Sequence, residues 1–137
     1  MPEIAHTMPS GAHVIGRFVH VMAVSDRILV QAGVGELRPV DPAEVFVLEA
    51  EGGETRVRLR SARPFLSARS LGDLETVFAP HGFLRIHRNH MVNLRRVRTI
   101  RRRDDGRDWE LRLDPPVNRV LPISRNRLPE LLAAFLG

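Results

Sequence analysis

The 137-residue chain has no cysteine and no tyrosine, only one tryptophan, and not a single lysine among its 21 basic residues. Without cysteine there can be neither a disulfide framework nor a thiolate zinc site. Long apolar runs are also missing. The longest, Val14 to Val24, is interrupted by Arg17 and His20 and is too short and too polar to cross a bilayer. The first ten residues have neither the basic start nor the apolar core of a signal peptide. These absences point to a cytoplasmic protein with no membrane partner. Catalytic signatures are lacking too: there is no phosphate-binding Gly-rich loop, no Gly-x-Ser-x-Gly and no His-Glu-x-x-His. We therefore expect no enzymatic activity and no cofactor.

What the chain does have is arginine, unevenly spread. Residues 1–55 carry three arginines against eight acids, a net of −5, whereas residues 56–127 carry 18 against seven, a net of +11. Between Arg85 and Arg103 there are eight arginines and no acid. A basic segment of this kind is an electrostatic footprint for a polyanion. Arginine suits that role because its planar fork can give two hydrogen bonds to a phosphate or to a guanine edge.

The length fits one domain with a short extension. Residues 1–25, with Pro2, Pro9 and Gly11 near the start, read as a partly flexible N-terminal extension, and residues 26–137 as the domain. From Asp26 onward the pattern is that of short strands: Arg27–Val30, Leu37–Val40, Val45–Leu48 and Thr55–Arg60. In the last of these, Val57 and Leu59 alternate with Arg56, Arg58 and Arg60, predicting a positive stripe on a solvent face. Ser70 can cap a helix whose Leu71, Leu74, Val77 and Phe78 keep helical spacing, ended by Pro80 and Gly82. Strands follow at Phe83–His87, around Met91–Ile100, at Trp109–Leu113 and at Val117–Ile123. Leu128, Leu131, Leu132 and Phe135 then mark a closing helix. The class is mainly β with two short helices. No helix carries the positive charge, which argues against a helix-turn-helix reader.

Four segments, in order, carry a resemblance. They are Val45-Phe46-Val47-Leu48-Glu49-Ala50-Glu51-Gly52; Leu71 with Asp73-Leu74-Glu75; Phe83-Leu84-Arg85-Ile86-His87-Arg88 with Val92-Asn93-Leu94; and Leu121-Pro122-Ile123-Ser124-Arg125. Over roughly residues 26–137 the chain resembles the LytTR DNA-binding domain of bacterial transcription regulators. The resemblance implies an elongated β-β-β sandwich of short antiparallel sheets. It also implies loops entering successive major grooves of paired direct repeats, and dimers on a bent duplex. The chain departs from the family pattern at Asn89, where many members have serine. It departs again at Gly53-Glu54, where an Asn-Tyr pair is common, and at Asp114-Pro115-Pro116, which replaces an Asp-Gly turn. Family regulators commonly carry a receiver domain upstream; with about 25 residues before this domain, a stand-alone regulator is the expectation.

Carried over position by position, the resemblance places Arg125 in a groove as a base reader and Arg88 in the central DNA-facing loop. It places Thr55, with Arg56 beside it, in the first loop. Asn89 and Asn126 are neighbours chemically able to pair with adenine edges. Arg56, Arg95, Arg96, Arg98, Arg101, Arg102 and Arg103 are candidates for phosphate contacts. His81, His87 and His90 make a His-x5-His-x2-His series that matches no tetrahedral zinc pattern, so no metal is expected. Asn93 reads as a residue that satisfies backbone groups. Expected partners are double-stranded DNA, a second copy on that DNA, and a regulatory protein met through residues 1–25. The competing reading is a β-rich protein-interaction module whose basic face binds an acidic protein.

Overall fold

The computed structural model describes residues 26–136. Ten strands and two helices follow in the order β1 (Ile28–Gln31), β2 (Leu37–Val40), β3 (Val45–Glu51), β4 (Glu54–Leu59), β5 (Phe65–Ser67), α1 (Leu71–Phe78), β6 (Phe83–His87), β7 (His90–Asn93), β8 (Val97–Arg102), β9 (Trp109–Leu113), β10 (Val120–Ile123) and α2 (Leu128–Leu136). They form three antiparallel sheets: the hairpin β1-β2, a central sheet β5-β4-β3-β7-β6, and a third sheet β10-β9-β8.

The central sheet is buried on both faces, and β3 shows how one strand serves two cores. Its residues Val45-Phe46-Val47-Leu48 are all fully buried. A register shift against β4 between Val45 and Val47 makes Phe46 an extra, bulged residue. Val45 and Leu48 consequently join one core, with Val30, Val40, Val57, Leu71, Leu74, Phe78 and Met91. Phe46 and Val47 join the other, with Ile86, Val92, Leu111, Leu113, Leu121, Ile123 and Leu131. The first core lies under the β1-β2 hairpin and α1, the second under the third sheet and α2. The stack of three sheets is the β-β-β arrangement expected of the sequence, mainly β with two short helices.

Local chemistry explains the connections. Gly52 and Gly53 have φ of 56° and 91°, the positive values that a tight two-residue hairpin between β3 and β4 requires. Ser70 caps α1, its hydroxyl accepting from the Asp73 amide at 3.1 Å. Asn93 donates from Nδ2 to the carbonyls of Val45 (3.0 Å) and Pro42 (3.3 Å) and accepts from the Arg95 amide (3.0 Å). It therefore satisfies buried backbone groups, as its polar character in an apolar run suggested.

Three expectations need correction. The final strand starts at Val120 and not Val117, because a turn through Pro115, Pro116 and Asn118, the last with φ of 51°, occupies the intervening residues. Strand β5 was not foreseen: only three residues long and following Pro64, it has too little pattern to register. The arginines of β4 do not form a solvent stripe. Arg56 and Arg58 are half-buried and ion-paired to Glu51 and Glu49, because the face opposite Val57 turns toward the third sheet. The segment 13–24 lies outside the described residues.

Truncation of the bulged residue, Phe46→Ala, removes the largest fully buried side chain of β3 and the ring beneath the Arg96 guanidinium, 4.9 Å away. Loss of about 3–5 kcal/mol is expected, to be measured as a lowered urea midpoint followed through Trp109 fluorescence.

Candidate nucleic-acid interface

Three backbone links gather one end of the molecule. The Ala50 amide donates to the Asn89 carbonyl at 2.9 Å, fixing the β6-β7 turn beside the end of β3. The Ser124 amide donates to the Ile86 carbonyl at 2.9 Å, fixing the start of the β10-α2 connection beside the end of β6. In the third sheet Ile123 pairs with Trp109, so the β8-β9 loop, residues 103–108, reaches the same end. This end thus carries the Gly52-Gly53 turn, the exposed pair Arg88-Asn89, the β8-β9 loop and the exposed Arg125-Asn126.

The Arg88-Asn89 turn is held from three sides. The Arg85 guanidinium donates to the carbonyls of His87 (3.2 Å) and Arg88 (2.6 Å) and to the Glu75 carboxylate of α1 (2.8 Å). The Asn89 amide donates to Nδ1 of His87 at 3.1 Å. The Arg88 side chain, in contrast, has no ion-pair partner among the described residues and projects into solvent. Rigid backbone beneath a free guanidinium is an arrangement that limits the ordering cost of binding. Sequence reasoning passed over Arg85 as a positioning residue; its only signal was an arginine in an otherwise apolar strand.

Arg125 is 72% exposed at its side chain and ion-pairs through Nε with Asp108 at 3.1 Å. Neighbouring Arg127 adds charge at this end. Arg102 and Arg103, at the β8-β9 loop, belong to it as well: the Arg102 guanidinium lies 5.5 Å from the Trp109 ring, and Arg103 approaches Glu110 at 4.0 Å. Arg101 pairs with Glu110 at 2.9 Å across the outer face of the third sheet.

Other expected site residues lie elsewhere. Thr55 is fully buried, and its hydroxyl donates to the Arg69 carbonyl at 2.8 Å. A side chain so enclosed presents nothing to a duplex, which corrects its assignment to a DNA-facing loop. Arg56 stands near the Gly52-Gly53 turn but is engaged by Glu51, whose carboxyl it holds below the ordinary range through that hydrogen bond. Arg95, Arg96 and Arg98 stand at the opposite end. There the Arg96 guanidinium donates to the Ala43 carbonyl, and Arg98 approaches Asp114 at 3.7 Å. Arg95 lines a cleft there with Asp26, Asp41, Pro42, His81 and Asn93. His81 is thereby separated from His87 and His90 by the length of β6, and among the described residues no cluster of His, Asp or Glu converges on a metal position.

Behind the turn lies a buried charge network. The Glu49 side chain, 8% exposed, accepts from Arg58 Nε at 2.6 Å and from Arg119 at the start of β10; His90 Nε2 lies 3.7 Å away. Nδ1 of His90 is buried without a hydrogen-bond partner, and the His87 and His90 rings lie 5.5 Å apart. Burial is the main cause lowering the pKa of both histidines. For His87, Arg88 and Arg85 push further down. For His90, Glu49 acts in the opposite direction, while His87 and Arg119 add to the lowering.

Comparison with known proteins bears on the family and the fold. The family profile described as the LytTr DNA-binding domain matches residues 35–135. The CO-responsive transcriptional regulator RcoM of Rhodospirillum rubrum is 36% identical over 103 residues, covering 74% of this chain. The chain spans only 42% of that relative's length. A LytTr DNA-binding domain from Bacillus cereus superposes with a TM-score of 0.63 over 80% of this chain and 95% of that one, at 20% identity, which is a likeness of fold.

The histidine pair predicts a pH dependence. A folded-state pKa below the ordinary 6.5 means that the unfolded chain takes up protons first on acidification. Stability should therefore be level above about pH 6.5 and fall as pH drops from there through the lowered values. Loss of the lowered carboxylates Glu51 and Asp105 comes only at greater acidity, below their ordinary 4.5 and 3.8. Urea titrations between pH 5 and 8 check this; a midpoint that rises on acidification in that window would contradict it.

Proposed function

The chain belongs to the LytTR DNA-binding domain family, and on that premise we propose that it binds double-stranded DNA sequence-specifically as the reading module of a transcription regulator. The observation that carries this is the convergence of Arg88-Asn89 and Arg125-Asn126 on one end, through the Ala50–Asn89 and Ser124–Ile86 backbone bonds. In this reading Arg125 and Arg88 meet base edges in successive major grooves of a direct repeat, with Asn89 and Asn126 beside them. A guanine offers two acceptors, O6 and N7, to an arginine fork. Arg101, Arg102 and Arg103, with Arg107 and Arg127, supply phosphate contacts that set register without reading sequence. Two copies occupy the two repeats. The activity is binding in the cytoplasm, with no catalysis.

The test is selection of purified full chain on a random duplex pool at near-physiological salt, with affinities by fluorescence anisotropy. Enrichment of a paired direct repeat is expected. Affinity should fall steeply with salt, since each neutralised phosphate releases counterions, a log–log slope of about −0.9 per contact. Arg125→Ala should relax discrimination at one base position per half-site, by about 1–3 kcal/mol. Weak binding without enrichment would overturn the reading and favour an acidic protein partner for this basic end.

A further inference from the structure

The end of the molecule that the proposed function turns toward DNA contains an acid with no obvious business there. Asp108 adds negative charge where phosphates would approach, and a like charge near a polyanion lowers affinity. Yet the β8-β9 loop is built around it. The Asp105 carboxylate accepts from the amides of Arg107 (2.9 Å) and Asp108 (3.1 Å), the Arg103 amide donates to the Asp108 carbonyl (2.7 Å), and the Gly106 amide donates to the Arg103 carbonyl (2.9 Å). Gly106 takes φ of 75°, which lets the loop close on itself. Four hydrogen bonds within residues 103–108 thus hold the backbone that carries Asp108, and its side chain meets Arg125: Asp108 Oδ1 accepts from Nε at 3.1 Å.

We propose that Asp108 is the positioning residue for Arg125, holding the guanidinium by its Nε edge so that the two terminal amino groups face outward as a pair. This rests on the base-reading role of Arg125. A guanidinium has five N–H donors in a fixed plane. With Nε taken, the end-on pair is the edge left for a bidentate contact, and that pair matches the O6 and N7 acceptors of guanine. An exposed arginine otherwise samples many rotamers, and fixing it costs free energy at the moment of binding. Asp108 moves that ordering into the free protein. It also adds selectivity: an arginine tethered at Nε is poorly placed to swing onto a phosphate, so a wrong base loses the contact instead of being rescued by the backbone. The negative charge is offset by this discrimination.

The proposal predicts two changes of opposite sense in one variant. Asp108→Ala in the full chain should bind random duplex more tightly, about two- to fivefold, because a negative charge is gone. It should also discriminate less at the base position that Arg125 reads, by about three- to tenfold. Asp108→Asn, which keeps an acceptor oxygen in place, should fall between wild type and Asp108→Ala in discrimination. Asp104→Ala removes an acid of the same loop that does not touch Arg125; it should raise random-duplex affinity and leave base preference intact. In an Arg125→Ala background, Asp108→Ala should relax preference no further. Per-position preferences come from the same selection and sequencing, with Trp109 fluorescence melts confirming that each variant is folded. If wild type shows no preference at all, the base-reading function itself fails. If wild type is selective and Asp108→Ala keeps an unchanged profile, or relaxes preference equally in the Arg125→Ala background, the positioning role is overturned. A poorly folded Asp108→Ala leaves the decision to Asp108→Asn, whose profile identical to that of wild type would also overturn it.

Discussion

A buried carboxylate holds this domain's layers in register. Glu49 lies on β3, the middle strand of the central sheet, and is almost wholly enclosed. A charge there is costly unless its lone pairs are taken up by opposite charge. Arg58 supplies one partner from the neighbouring strand β4; Arg119 supplies the other from the start of β10, 70 residues away. The second link crosses from the central sheet to the third. Apolar packing between sheets is non-directional and tolerates sliding; a guanidinium–carboxylate contact tolerates much less. With the third sheet pinned at Arg119, its other end brings Ser124 to Ile86 and Arg125 to the same tip as Arg88. The placement of Arg88 and Arg125 therefore depends on an ion pair set back from the tip.

This explains why the arginines of the sequence divide into two populations. Some are internal fasteners: Arg58 and Arg119 on Glu49, Arg85 on two turn carbonyls and Glu75, Arg96 on the Ala43 carbonyl. Others, Arg88 and Arg127 among them, have no ion pair among the described residues. Arginine is well suited to both tasks because it cannot be discharged at ordinary pH and keeps its fork geometry. A run of eight arginines free of acids, such as 85–103, looks uniform in one dimension; folding sends its members to opposite ends and gives them different work.

That division also marks how far the sequence could be read. The helix at Leu71–Phe78 was legible because its cap, spacing and terminators are all within a few residues of one another. The Gly52-Gly53 hairpin and the strands β3, β6 and β9 were legible for the same reason. The order of four motifs identified the family and, through it, the positions of Arg88 and Arg125. What could not be read depends on distant partners. Thr55 shares the inward parity of Val57 and Leu59; the resemblance put it in a DNA-facing loop, but β5, too short to foresee, covers it with Ser67 opposite and Arg69 beyond. Arg95, Arg96 and Arg98 looked equivalent to Arg101, Arg102 and Arg103 until β8, running between them, placed the groups at its two ends. Asp108 carried no signal at all, since its meaning is a contact to Arg125 across 17 residues.

The cleft lined by Asp26, Asp41, His81, Gly82, Asn93 and Arg95 has a geometric consequence. It lies where β6 begins and β7 ends, so the polypeptide enters the domain at the face turned away from the Arg88-Asn89 tip. The two are separated by the length of a five-residue strand, on the order of 15 Å. Asp26, the first described residue, thus stands on the side of the domain away from the exposed Arg88.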